Sequence, residues 1–156
     1  MSGSGTMVGK RAGAKPPRGR YFANSPMAFL GEGGPTLVIE RTRRGLSASV
    51  LDFMAKTLGI SRSSMLEIVR IKPSTAERRI REKQLLTPEE SDRIVRVARV
   101  TQRAIEVFED EDDAKAWLKR PITSLGGVAP LSLLDTAEGY QLVTDTLGRI
   151  EYGVYG

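Results

Sequence analysis

Two groups of side chains in this 156-residue chain are of the right types and spacing to do chemistry. The first is Ser74, Thr75, Arg78, Arg79 and Arg81. Guanidinium groups bind phosphates and the edges of guanine in bidentate fashion. Hydroxyls and backbone N–H groups at a helix N-terminus hold phosphate oxygens. If Ala76 and Ile80 face a core, helical spacing turns Arg78 and Arg81 outward and leaves Arg79 on the flank. This pattern points to DNA contact. The competing view is a solvated face in which Glu77 and Glu82 pair with the arginines. The second group is Arg149, Glu151, Tyr152 and Tyr155 at the end of the chain, with Gly126 and Gly127 in a loop upstream. Tyr and Arg are enriched at interface hot spots, so a glycine-flanked aromatic tail suits a partner's cleft. The plainer alternatives are a frayed terminus and a tight glycine turn.

What is missing narrows the options. There is no His and no Cys. Zinc sites of the usual kinds, disulfides, and Ser-His or Cys-His nucleophilic pairs are therefore excluded. No catalytic residue, metal site or cofactor site is assigned. Asp110 to Asp113 lack the spacing and central glycine of a calcium loop and suit the start of a helix instead. The motif GEGG at 31–34 lacks the Gly-Lys-Ser/Thr of a phosphate loop and reads as linker. No apolar run is long enough for a membrane span, and no signal-peptide pattern appears, so a cytoplasmic protein is expected.

The net charge of +5 is unevenly spread. Residues 1–45 carry eight Lys/Arg against two Asp/Glu, whereas residues 101–156 carry five against ten. A basic front and an acidic back suggest two different partners, the first of them nucleic acid.

The elements that must position these groups read as helices throughout, so the fold class is all-α. Residues 1–35 are rich in Gly, Pro and basic residues and are expected to be a disordered basic tail. Residues 36–108 form a helix-turn-helix and oligomerisation region, and residues 109–156 a small helical module. A short segment over 36–44 is helical, with a strand over 36–41 as the alternative. Ser47 is placed to cap a helix over 48–58, and Ser61 one over 62–70. Ser74-x-x-Glu77 reads as a capping box for a helix over 75–83. Thr87-x-x-Glu90, with Pro88 at the first helical position, opens a long helix reaching about Phe108. Trp117 faces a core. Thr136 caps a last helix over 137–151, with Tyr140, Val143, Thr144, Leu147 and Ile150 in a stripe. The long helix joins the two modules, so a fragment ending at 108 is expected to keep weak DNA binding, with aggregation as the alternative if the last helix completes the core.

Several runs resemble one family. They are STAERR at 74–79, LTPEESDR at 86–93 and RVAR at 96–99. In the second half they are Ala116-Trp117-Leu118, Leu125-Gly126-Gly127, Pro130-Leu131, LLDT at 133–136, Gly139 and LGRIEYGV at 147–154. In this order and spacing they resemble the Xre/MbcA/ParS antitoxins, from about Gly45 onward. Tyr152 departs from the His common in that family, and Gln84-Leu85 from a Gly and a basic residue. The resemblance implies a non-enzymatic antitoxin of a RES-domain toxin that depletes NAD. It implies that the C-terminal helix and tail occlude the toxin's active site, with Arg149, Glu151, Tyr152, Tyr155, Gly126 and Gly127 in contact. It also implies repression of the antitoxin's own operon through the helix-turn-helix, as an oligomer of at least two copies. The alternative is a helix-turn-helix regulator whose C-terminal half only dimerises.

Overall fold

A computed structural model describes residues 25–31 and 33–153. Among these the chain is all-α, as expected. Seven α-helices follow one another: α1 Pro35–Arg44, α2 Val50–Leu58, α3 Arg62–Val69, α4 Pro73–Arg81, α5 Pro88–Phe108, α6 Glu111–Lys119 and α7 Ala137–Glu151. Short 3-10 turns lie at Ala28–Leu30, Thr123–Leu125 and Pro130–Leu133. The only extended pairings among the described residues are two isolated bridges, Ser47 with Leu85 and Ile122 with Val128. No helix among them is long and apolar enough to cross a membrane.

The helix α5 organises the molecule. The Thr87 hydroxyl accepts from the Glu90 amide at 3.1 Å, and the Glu90 carboxylate accepts from the Thr87 amide at 2.9 Å. This is the reciprocal capping box the sequence announces, and it satisfies two donors that a helix start leaves orphaned. Along α5, Ile94, Val95, Val97, Ala98, Val100, Thr101 and Ala104 are all buried. At 100° per residue they cover an arc of about 220°, twice the stripe of an ordinary surface helix. The reason is that five helices, α1, α2, α3, α6 and α7, pack against α5. One apolar core results, running from Leu51, Met54 and Leu58 through Met65, Ile94 and Val97 to Trp117, Leu118, Val143 and Leu147.

Folding extends further toward the N-terminus than composition suggests. Met27 and Leu30 are fully buried, and Phe29 meets Phe53 edge-on at 5.9 Å. The Ser25 hydroxyl donates to Gln102 of α5 at 2.9 Å. Two apolar side chains one 3-10 turn apart suffice to dock this segment, and they carry no periodicity that sequence reading could detect. Residues 1–24, the greater part of the expected basic tail, lie outside the described residues.

Two helix starts differ from expectation. Helix α2 begins at Val50, two residues later, because Ser47 closes a turn ahead of it: its hydroxyl accepts from the Ser49 amide at 3.4 Å and its carbonyl from the Val50 amide at 3.0 Å. Helix α4 begins at Pro73, with Lys72 as the preceding residue and no side-chain cap. Proline's fixed φ suits the first helical position, so it starts the helix there and overrides the Ser74/Glu77 box.

Candidate nucleic-acid and partner-binding surfaces

Helices α3 and α4 form a helix-turn-helix joined by Arg70, Ile71 and Lys72. Ile71 is buried, and its amide closes on the Leu66 carbonyl at 3.1 Å. Arg70 sits at φ 58°, in the left-handed position that such turns usually give to glycine. Its side chain donates to Asp135, in the loop before α7, at 3.0 Å. From α5, Arg93 donates to the Val69 carbonyl at 3.2 Å, closing the end of α3. The turn is thus held from two sides.

On α4 only Ala76 is fully buried. Ser74, Arg78 and Arg81 are exposed and fall at i, i+4 and i+7, so they share the outer face. Thr75 is half-buried at the third helical position. Glu77 and Glu82 are exposed as well, so the face is not uniformly basic. Lys72 and Lys83 flank the helix and are exposed. Sequence reading passed over both, since neither belongs to the Arg run, although their adjacency to it was a usable signal.

Arg79 behaves differently. It turns toward α5 and donates to the Glu90 carboxylate, with both side chains largely buried. Burial pushes the Glu90 carboxyl up. The Thr87 amide and the Arg79 guanidinium outweigh it and hold the group below its usual range. One carboxylate therefore caps α5 and anchors α4. Arg79 is committed to orienting the helix, not to its outer face, and periodicity within α4 could not reveal a partner on another element.

The C-terminal residues fall into two places. Arg149, Tyr152 and Gly148 line a shallow open groove with Thr144, Asp145 and Arg103. Arg149 is exposed and Tyr152 is 80% exposed. Glu151, by contrast, is engaged within the molecule. Arg103 of α5 donates to its two oxygens at 2.8 and 2.9 Å. That bond holds the Arg103 guanidinium above its ordinary pKa. Nothing in the sequence marked Arg103. Gly126 and Gly127 do not line the groove. They adopt φ 83° and 78° in a tight loop closed by the Gly127 amide on the Ile122 carbonyl at 3.0 Å. A turn that needs two left-handed residues explains both glycines. Tyr155 lies outside the described residues. No group of acidic, His or Cys side chains that could hold a metal is found among the described residues.

Comparison with known proteins bears on both surfaces. Residues 37–99 match the model of the antitoxin Xre-like helix-turn-helix domain. Residues 103–153 match that of the antitoxin Xre/MbcA/ParS C-terminal toxin-binding domain. A protein named Antitoxin Xre from Photorhabdus laumondii is 38% identical over 111 residues, covering 70% of this chain and 75% of its own. Another Antitoxin Xre, from Yersinia enterocolitica, is 35% identical over 121 residues, covering 77% and 82%. A protein named Prs ADP-ribosylating antitoxin from a Sphingobium species is 27% identical over 154 residues, covering 92% and 96%.

Proposed function

This chain belongs to the Xre antitoxins, and on that premise we propose that it neutralises a RES-domain toxin that consumes NAD. It does so by binding and not by turnover. The end of α7 and the residues beyond it sit at the toxin's active-site entrance. The face of α4 that carries Arg78 and Arg81 binds the operator of its own operon. The observation that carries this reading is the exposed Arg149–Tyr152 end of α7, inside the stretch matched by the toxin-binding domain. The Sphingobium relative's name adds support, because ADP-ribosylation consumes NAD. The acidic balance of residues 101–156 suits a pocket built for an anionic dinucleotide. Tyr152 is an amphipathic anchor with little rotamer entropy to lose. A regulator whose C-terminal half only dimerises would leave this end without a task.

The test is NAD loss catalysed by the cognate toxin, with the full chain titrated in. Excess antitoxin should abolish consumption. A variant lacking residues 149–156 loses the half-buried Ile150 and the Glu151 pair, so it should melt a few degrees lower yet stay folded. Its inhibition should fall about 100-fold, the scale of two hot-spot side chains at ~1–2 kcal/mol each. Full inhibition by the folded truncation would move the contact back to the Gly126–Gly127 loop and the face of α7.

For DNA, the operator is read by two antitoxin copies on half-sites about 34 Å apart, the spacing of one duplex turn. Arg78→Ala should weaken operator binding by about 1–3 kcal/mol and relax sequence preference. Arg81→Ala should weaken all sequences alike and flatten the salt dependence. Ser74 and Thr75 supply phosphate contacts at the start of α4. Arg79→Ala should cost stability, not a DNA contact. Unchanged operator affinity in the Arg78→Ala/Arg81→Ala double variant would falsify the assignment.

A further inference from the structure

Glu151 is the last residue of α7. A carboxylate there faces the partial negative charge of the helix C-terminus, which favours fraying. Arg103, near the far end of α5, offsets this. Its Nη1 and Nη2 donate to Oε2 and Oε1 of Glu151 at 2.8 and 2.9 Å, two parallel bonds on one flat fork. Glu106, one turn further along α5, lies 3.8 Å from Arg103 Nη1 and holds the same guanidinium. The Arg103 and Glu151 side chains are only 33% and 28% exposed, so salt screens this pair less than an ordinary surface pair. The chain turns directly after the clamp. The Tyr152 amide donates to the Gly148 carbonyl and the Gly153 amide to the Ile150 carbonyl, both at 3.1 Å. Gly153 takes φ 72°, the left-handed turn that ends the helix.

We propose that Arg103 is a positioning residue for the partner-binding end of the chain. By pinning Glu151 it fixes the last turn of α7, and with it the placement of Tyr152 and Gly153. Ordering that turn before encounter removes an entropy cost from binding. Glu151 then serves the partner contact from within, as an anchor, and Arg149 and Tyr152 form the contact itself. The functional half of this inference rests on the neutralisation proposed above. The structural half stands without it.

The experiment compares the full chain with Arg103→Gln, Glu151→Gln and the exchanged pair Arg103→Glu/Glu151→Arg. Without toxin, amide exchange at Tyr152 and Gly153 should quicken about fivefold to tenfold in both single variants, as loss of a well-formed ion pair implies. Melting temperatures should stay within a few degrees, and the exchanged pair should restore protection. Unaltered protection in Arg103→Gln overturns the proposal. With the cognate toxin, Arg103→Gln should bind about tenfold more weakly, and the exchanged pair should recover most of that loss. Restored protection without restored binding would mean that Arg103 touches the toxin itself, which also overturns a positioning role. Failure of the unaltered chain to bind the toxin would instead sink the neutralisation reading, and amide exchange alone would then decide the inference.

Discussion

A fragment ending at Phe108 will not fold cooperatively. The sequence left two outcomes open: a capped helix that joins two modules looks like a place to cut, but the last helix could complete the core. The arrangement of α5 decides for the second. This helix is buried over about 220° of its circumference. The cut removes Ala114, Trp117, Leu118, Leu125, Leu131, Leu134, Val143 and Leu147 from one continuous core. The apolar half of α5 left behind, with Thr101, Ala104 and Phe108, then faces water. Phe108 loses Trp117, whose ring centre lies 5.8 Å away. Each large side chain removed from a core or stripped of its cover is worth about 1.5–3 kcal/mol. The cover lost from α5 is of the order of the ~5–15 kcal/mol that holds a domain of this size together. The fragment should therefore show helical circular dichroism without a cooperative melt, and it should self-associate through the bared face. A monodisperse fragment melting within a few degrees of the full chain would overturn this. The same argument explains why the helix-turn-helix and the toxin-binding stretch adjoin on one helix: α5 is the floor of both.

How much of this was legible in the sequence depended on whether a signal was local. The start and length of α5 are written in Thr87-Pro88-Glu89-Glu90 and its apolar spacing, and Thr136 marks α7 equally plainly: its hydroxyl accepts from the Gly139 amide at 3.0 Å. The outward aim of Arg78 and Arg81 followed from placing Ala76 and Ile80 toward the core. What escaped were pairings between different helices. Arg79 with Glu90 and Arg103 with Glu151 each join two helices, so periodicity within one helix shows neither pair. These two pairs change the site list. Arg79 leaves the outer face of α4 and Glu151 becomes an anchor, whereas Arg149 and Tyr152 keep the exposure expected of contact residues. The start of α4 was misplaced for a different reason. Two local signals competed there, and the backbone constraint of Pro73 overrode the optional hydrogen bond of Ser74.

Gly139→Ala should be among the most damaging single substitutions in the chain, although helix propensity alone argues the reverse. Gly139 is the third residue of α7, and alanine in a helix is favoured over glycine by about 1 kcal/mol. Space decides the sign. A Cβ on Gly139 would lie 1.8 Å from the Leu133 carbonyl oxygen and 2.7 Å from its carbon. Those atoms are backbone, at the end of the 3-10 turn Pro130–Leu133, and no rotamer change can move them aside. Helix α7 would have to lift away, stretching the Thr136 cap and unseating Val143 and Leu147 from the core. Such overpacking costs about 3 kcal/mol or more, which in a chain of this length lowers the melting temperature by about 10 °C. Gly148 supplies the control within the same helix. A Cβ there meets nothing within 4 Å, so Gly148→Ala should gain the propensity term and stabilise by about 0.5–1 kcal/mol. Thermal melts of the two variants beside the parent test the argument through the difference of sign. If Gly139→Ala melts with Gly148→Ala, above the parent, then α7 does not rest on the Leu133 carbonyl, and this account of its packing is wrong.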